Sequence, residues 1–320
     1  MGIQLERLPM KLFIDTDCGV DDSLAIAVAA RAVGPQNLCG VGATWGNCDP
    51  TRASRNARWA LRQAGADRVP VHGSSLPAPA GWEPAVSVHG TDGLGDALSP
   101  REFANISALA GDDSVSALIR FAAKHRHDGK LVCIGPLTNL AAALWTEPRV
   151  ASWLGMVTIM GSHGLSADSW LDDMGDTNIR LDPEAATQVV KSPLRITWAG
   201  LDVTKETTLS PDDFPSTRLG RDMLKVHQQY GSARGPKYSP HGPVGGWRTP
   251  CNDSVAMLAA LRDLWADRLG FETTAAHPYI AEDSQGRPIV QCQSDESPVG
   301  RVLVRSKPER VKHMINSLLR

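Results

Sequence analysis

The chain has no Cys-x-x-Cys spacing, no block of Lys and Arg, and no long uncharged apolar run, and each absence removes a class of protein. Its six cysteines are scattered, which argues against a disulfide framework or a thiolate zinc site. Cys39, Cys48 and Cys133 lie in or beside apolar runs, where reduced thiols pack as small hydrophobes. A formal charge of −2 without a basic block leaves no footprint for nucleic acid or an anionic membrane. The lack of a membrane-length run and of a signal-like start predicts a cytoplasmic protein. What remains is ample for a core: 320 residues, 42% hydrophobic and 21% charged, fit one α/β domain or two smaller ones. The partners left by these exclusions are small molecules.

The most informative stretch is Lys11 to Ala30, KLFIDTDCGVDDSLAIAVAA, which places Asp15, Asp17, Asp21 and Asp22 between two apolar runs. Leu12-Phe13-Ile14 reads as the end of a buried strand and Leu24 to Ala30 as a helix packed on a sheet. The acids therefore occupy a strand-to-helix turn, at the carboxyl end of a strand, where open α/β sheets bind ligands. Helix capping accounts for Asp21 and Asp22 but not for four acids. Like charges crowded there repel unless protons or a hard metal neutralise them, and oxygen donors without Cys or His favour calcium or magnesium over zinc.

Strand-like and helix-like segments alternate along the rest of the chain, which predicts a doubly wound, mostly parallel sheet flanked by helices. Asn37 to Trp45 reads as a second buried strand ending in Gly46-Asn47, followed by a helix over Thr51 to Ala64 and a short strand Val69 to Val71. Gly73 to Asp113, rich in Gly, Pro, Ser and Ala, reads as a long excursion above the sheet. Further strands are predicted at Lys130 to Ile134, Met156 to Met160 and Leu194 to Trp198. Tyr230 to Pro250 reads as a second Gly- and Pro-rich loop, and an apolar helix opens near Asn252 and runs to about Trp265. Ile289 to Gln293 and Arg301 to Val304 look like a hairpin, and Pro308 to Leu319 like a closing helix.

Two families place Asp-x-Asp after a first strand. Phosphotransferases of the haloacid dehalogenase type require Thr or Val where this chain has Gly19. The run Asp15-Thr16-Asp17-Cys18-Gly19-Val20-Asp21-Asp22 instead resembles, at every fixed position, the Asp-x-Asp-x-Gly-x-Asp-Asp signature of the calcium-dependent nucleoside hydrolases, the inosine-uridine preferring family. Cys18 stands where that family usually has Pro. The resemblance extends over residues 11 to 315 through Gly46-Asn47, His89-Gly90-Thr91-Asp92-Gly93-Leu94-Gly95, Gly135-Pro136-Leu137-Thr138-Asn139, Asp176-Thr177-Asn178 and Asn252-Asp253. It implies a single nucleoside-hydrolase-like domain over residues 1–320, with active-site loops near 73–113 and 230–250.

By the same resemblance, Asp17, Asp22, Asp253 and the Ile134 carbonyl hold calcium, and Asp17 is also the general base. Asp21, Asn47 and Asn178 hold the ribose hydroxyls, and His89 flanks the site. Two departures concern the ends of the substrate. Asp176 replaces a Glu at the 5′ end, and Asn252 replaces the His that protonates a leaving base. An amide is no acid at neutral pH, so Tyr238, His241 and Trp247, on the preceding loop, are the candidates for stacking a base or replacing that acid. The expected substrate is a purine-like riboside. A ribose-binding relative without turnover, suggested by Asp176 and Asn252, and a phosphotransferase, opposed by Gly19, are the alternatives. Family members are commonly dimers or tetramers, which predicts a homo-oligomer.

Overall fold

Strand β1 (Lys11–Thr16) is buried on both faces because its side chains alternate between two apolar layers. Leu12 and Ile14 join the layer that contains the helix Val20–Val33, whereas Phe13 joins the layer built with Leu118 and Phe121. The computed structural model describes residues 10–106, 112–165, 176–238, 247–265, 268–283, 285–294 and 300–320. The remaining strands are β2 (Leu38–Ala43), β3 (Val71–His72), β4 (Gly129–Cys133), β5 (Met156–Met160) and β6 (Ile196–Ala199). They are followed by a small ribbon of β7 (Thr208–Leu209) and β8 (Thr249–Pro250), and by β9 (Glu272–Glu282), β10 (Pro288–Ser294) and β11 (Gly300–Arg305).

Nine strands form one sheet in the order β10-β9-β11-β6-β5-β4-β1-β2-β3. Every pair in it is parallel except those of β9, which runs antiparallel to both β10 and β11. The chain winds outward from β1 through β2 to β3, then returns to β4 on the other side. The order thus reverses between β1 and β4, the crevice where such sheets take their ligands. The helix Val20–Val33, buried at every position except Arg31, fills the layer over this crevice. A helix apolar on all sides belongs in a core, and truncating Leu24 there costs roughly 2–5 kcal/mol.

The doubly wound sheet agrees with the sequence reading, and three local expectations are corrected. Ile289–Gln293 and Arg301–Val304 do not pair with each other, because β9 lies between their strands. Much of Tyr230–Pro250 is not loop, since a helix runs over Arg218–Tyr238. Its buried Leu219, Met223, Val226 and Tyr230, at steps of three and four, outweigh Gly231 and Pro236. The helix opening at Asn252 ends at Ala260, short of Trp265. The excursion after β3 contains two short helices, Val86–His89 and Pro100–Ala104. It is tied down by Trp82 Nε1, which donates to the Gly46 carbonyl at 2.8 Å, and by Trp45 Nε1, which donates to the Leu76 carbonyl at 2.8 Å.

Candidate active site

The turn after β1 is wired to its own helix. Thr16 Oγ1 donates to Asp22 Oδ1 at 2.6 Å and accepts from the Cys18 amide at 3.0 Å. Asp22 Oδ2 accepts from the Gly19 amide at 3.0 Å, capping the helix Val20–Val33, and from Asn47 Nδ2 at 3.3 Å. The Asn47 amide donates to Asp17 Oδ2 at 2.7 Å, so the turns after β1 and β2 are joined through the carboxylate. A Cβ on Gly46 would collide with that carboxylate, and one on Gly135 would stand 2.6 Å from the Asp17 amide. Glycine at both places lets backbone close around Asp17. Cys18 has a φ of 39°, a conformation that a proline ring forbids, so this turn differs in shape from one that proline would make.

The second half of the cluster arrives from the other end of the chain. The helix Asn252–Ala260 begins at the cleft, and the Asp253 amide donates to Asp21 Oδ2 at 3.1 Å. Asp17, Asp22 and Asp253 are all buried, and burial pushes each carboxyl above its ordinary range. For Asp17 the neighbouring Asp22 adds to the rise, and for Asp253 the charges of Asp22, Asp21 and Asp17 do so. Asp17 Oδ1 receives no hydrogen bond from a fixed donor. Such a trio either shares protons or faces a cation.

The Ile134 carbonyl lies just past β4, where it accepts from Asn178 Nδ2 at 3.2 Å. Three carboxylates and a backbone carbonyl form a hard donor set suited to an oxygen-seeking cation, and the donorless Asp17 oxygen fits one. Among the described residues, no three His, Cys, Asp or Glu side chains are placed closely enough together to hold a metal ion by themselves.

Around this cluster the cleft is lined by Asn47, His89, Ile134, Asp176, Asn178, Tyr230 and Asn252, together with Asp21, Asp22 and Asp253. Asp176 lines the cleft and also caps a helix. Its Oδ1 accepts from the amides of Asn178 at 2.9 Å and Ile179 at 3.3 Å, capping the helix Thr177–Leu181, while burial raises its pKa to about 6. His89 Nδ1 accepts from the Val20 amide at 3.1 Å, and its ring lies 5.3 Å from that of Tyr230.

Trp247 is not among the lining residues. It is 8% exposed and packs against Phe214 and Gly231, at the far end of an aromatic chain that runs from His89 through Tyr230, His227 and Phe214. The aromatic side chain that lines the cleft is Tyr230. Tyr238 closes the helix Arg218–Tyr238 with its side chain outside the described part, and His241 lies outside the described residues. Sequence reasoning also missed Met160, Thr177, Leu201 and Lys205, which line the cleft as well. The 3–4 spacing of Leu219, Met223, Val226 and Tyr230 was the signal that could have found Tyr230.

A doubly wound sheet with a buried carboxylate turn and an amide-lined cleft at its switch point defines an α/β protein with a polar ligand cleft at the carboxyl ends of its strands. The chain belongs to the inosine-uridine preferring nucleoside hydrolase family, whose model matches residues 12–315. It is 35% identical over 232 residues to uridine nucleosidase 1 of Arabidopsis thaliana, covering 69% of this chain and 67% of that protein. It is 33% identical to the non-specific ribonucleoside hydrolase RihC of Escherichia coli (strain SMS-3-5 / SECEC), covering 71% and 73%. Against a probable uridine nucleosidase 1 of Oryza sativa subsp. japonica, 31% identical, the match spans 65% of this chain and 63% of the relative's length. Among solved structures, a purine-preferring ribonucleoside hydrolase from Gardnerella vaginalis superposes with a TM-score of 0.79 at 24% identity, over 97% of this chain and 98% of that one. At that identity the likeness speaks for the fold.

Proposed function

We propose that the chain is a calcium-dependent N-ribohydrolase that cleaves the base from ribonucleosides, favouring purine-like ones. The observation that carries this reading is the donorless, buried Asp17 oxygen among Asp22, Asp253 and the Ile134 carbonyl, beside a cleft lined by Asp21, Asn47 and Asn178. Asp17, Asp22, Asp253 and the Ile134 carbonyl would hold calcium. Bound there, the ion supplies positive charge that compensates the carboxylates and lowers the pKa of a neighbouring water. Asp21, Asn47 and Asn178 orient the ribose hydroxyls. Asp17 accepts the proton of the attacking water as the glycosidic bond opens through an oxocarbenium-like state.

On the base side, Asn252 offers an amide, which orients a leaving base without protonating it. His89 Nδ1 already accepts from the Val20 amide, so the neutral ring holds its hydrogen on Nε2. Tyr230 beside it supplies the aromatic face. A purine protonated by solvent at N7 can depart from such a site, whereas a pyrimidine depends more on an acid. The cytoplasm and a homo-oligomer, dimer or tetramer, complete the proposal. The six free cysteines support the first. No helix among the described residues is long and apolar enough to cross a membrane. The family match leaves the phosphotransferase reading without support.

The test is a base-release assay over inosine, adenosine, guanosine, uridine and cytidine, with bound metal measured on the same sample. Purine ribosides are expected to lead by at least about tenfold in kcat/KM, or about 1.4 kcal/mol. Equal or faster cleavage of uridine would overturn the preference, and riboside binding without release would leave a sugar-binding relative, the reading that Asp176 and Asn252 suggest.

A further inference from the structure

One layer below the cleft, on the sheet face opposite the helix Val20–Val33, buried side chains tie the strand ends together. Asp15, on the Phe13 face of β1, is 0% exposed. Its Oδ1 accepts from Asn139 Nδ2 at 2.8 Å, and its Oδ2 has no donor. The same Nδ2 donates to the Ala43 carbonyl at 3.2 Å at the end of β2. Asn139 Oδ1 accepts from Ser74 Oγ at 3.0 Å, on the segment that leaves β3. A single buried amide, carried by the helix after β4, therefore bonds to the end of β1, the end of β2 and the exit from β3.

These contacts lie where the sheet ladder stops. Pairing ends at Thr16 with Ala43 and at Asp15 with Cys133. Asp17, Asn47 and Ile134 all stand just beyond those ends. A carboxylate buried without a cation is costly, and replacing both partners of such a contact by apolar groups is often neutral or stabilising. Stability alone thus gives no reason for Asp15 to be ionisable. We infer that Asn139 is a positioning residue, which through Asp15 and the Ala43 carbonyl sets the relative placement of Asp17, Asn47 and the Ile134 carbonyl. This rests on the reading of the cleft as a calcium-assisted ribohydrolase site.

The test uses the full chain and three variants: Asn139→Leu, the reversed pair Asp15→Asn/Asn139→Asp, and the apolar pair Asp15→Leu/Asn139→Leu. Each is measured for Tm, for the rise in Tm on adding calcium, and for kcat and KM on a riboside that the wild type cleaves. Asn139→Leu is expected to lose about tenfold to 10²-fold in kcat, more than it changes KM, and most of the calcium-induced rise. The reversed pair restores the bond between positions 15 and 139 but sets a carboxylate, which has no N–H to donate, against the Ala43 carbonyl, so it should regain part of Tm while kcat and the calcium response stay below wild type. The apolar pair should recover Tm but neither kcat nor the calcium response, which separates positioning from mere stability.

An apolar pair with wild-type kcat and calcium response overturns the inference, as does a reversed pair with both at the wild-type level. Should Asn139→Leu fail to fold, the two double variants decide. A wild type that responds to calcium without cleaving ribosides ends the activity reading, while the calcium response still judges Asn139. A wild type with neither property overturns both.

Discussion

Asp17 is held by the Asn47 amide on one oxygen and left without a fixed donor on the other, the state expected of a side chain with two tasks. Asp17→Asn keeps the size and the bond from Asn47 but removes the base. Turnover should fall by roughly 10²-fold to 10⁴-fold. The check is kcat measured beside calcium content, because unchanged turnover at normal calcium would leave Asp17 as a ligand only. Asp176 permits a second prediction. Burial raises its pKa from 3.8 to about 6, so its contribution to stability is fully present below the unfolded value and is lost as pH rises through about 6. At pH 8 the ionised, buried Asp176 costs about 3 kcal/mol, on the order of the two-unit rise. Metal-free Asp176→Asn keeps a capping oxygen for the amides of Asn178 and Ile179. It should unfold at higher urea than wild type at pH 8, with the gap closing towards pH 4. A gap independent of pH would mean that the carboxyl titrates alike in the folded and unfolded chain, so that burial does not raise its pKa.

At the scale of elements, the strands that lead into Asp17 and Ile134 were legible because short apolar runs end in Gly, Pro, Asn and Asp, and the structure places β1, β2, β4 and β5 there. β9 was not legible. It contains Pro278 and several polar residues and has a mixed burial pattern, so it has neither a clean alternation nor an apolar run. The helix Arg218–Tyr238 was hidden by the glycines and proline of its last turns, although Gly231 serves a packing purpose by admitting the Trp247 ring. With the segment read as loop, Trp247 was expected at the cleft, and Tyr230 is the aromatic that lines it. Trp247 in the core and Tyr230 at the cleft should now respond differently to truncation. Trp247→Ala is expected to cost roughly 3–5 kcal/mol of stability, with the ratio of inosine to uridine cleavage little changed. Tyr230→Ala should lower kcat/KM for inosine more than for uridine, which urea unfolding and the two rates on each variant will show.

The whole molecule concentrates its conflict at the switch point of the sheet. The helices beginning at Val20, Thr138 and Asn252 point their N-termini there, and their dipoles ease the charge on the acids. That easing is partial, since Asp17, Asp22 and Asp253 are still pushed above their ordinary range by burial and, for Asp17 and Asp253, by neighbouring acids. Without a cation the folded chain therefore binds more protons here than the unfolded chain. Its stability falls as pH rises through the raised values, the opposite of what a salt-bridged carboxylate gives. On the proposed reading calcium would replace those protons, so its binding should strengthen with pH. At a calcium concentration about 100 times Kd the gain is about 2.7 kcal/mol, enough to raise Tm by several degrees. Scanning calorimetry with excess calcium or with chelator, at pH 5.5, 7 and 8.5, should show a calcium-induced rise in Tm that grows at each step. In Asp22→Ala, which removes one donor, the rise should disappear at every pH. A rise equal at the three pH values would mean that no protons leave when calcium enters, and that the ion binds away from Asp17, Asp22 and Asp253.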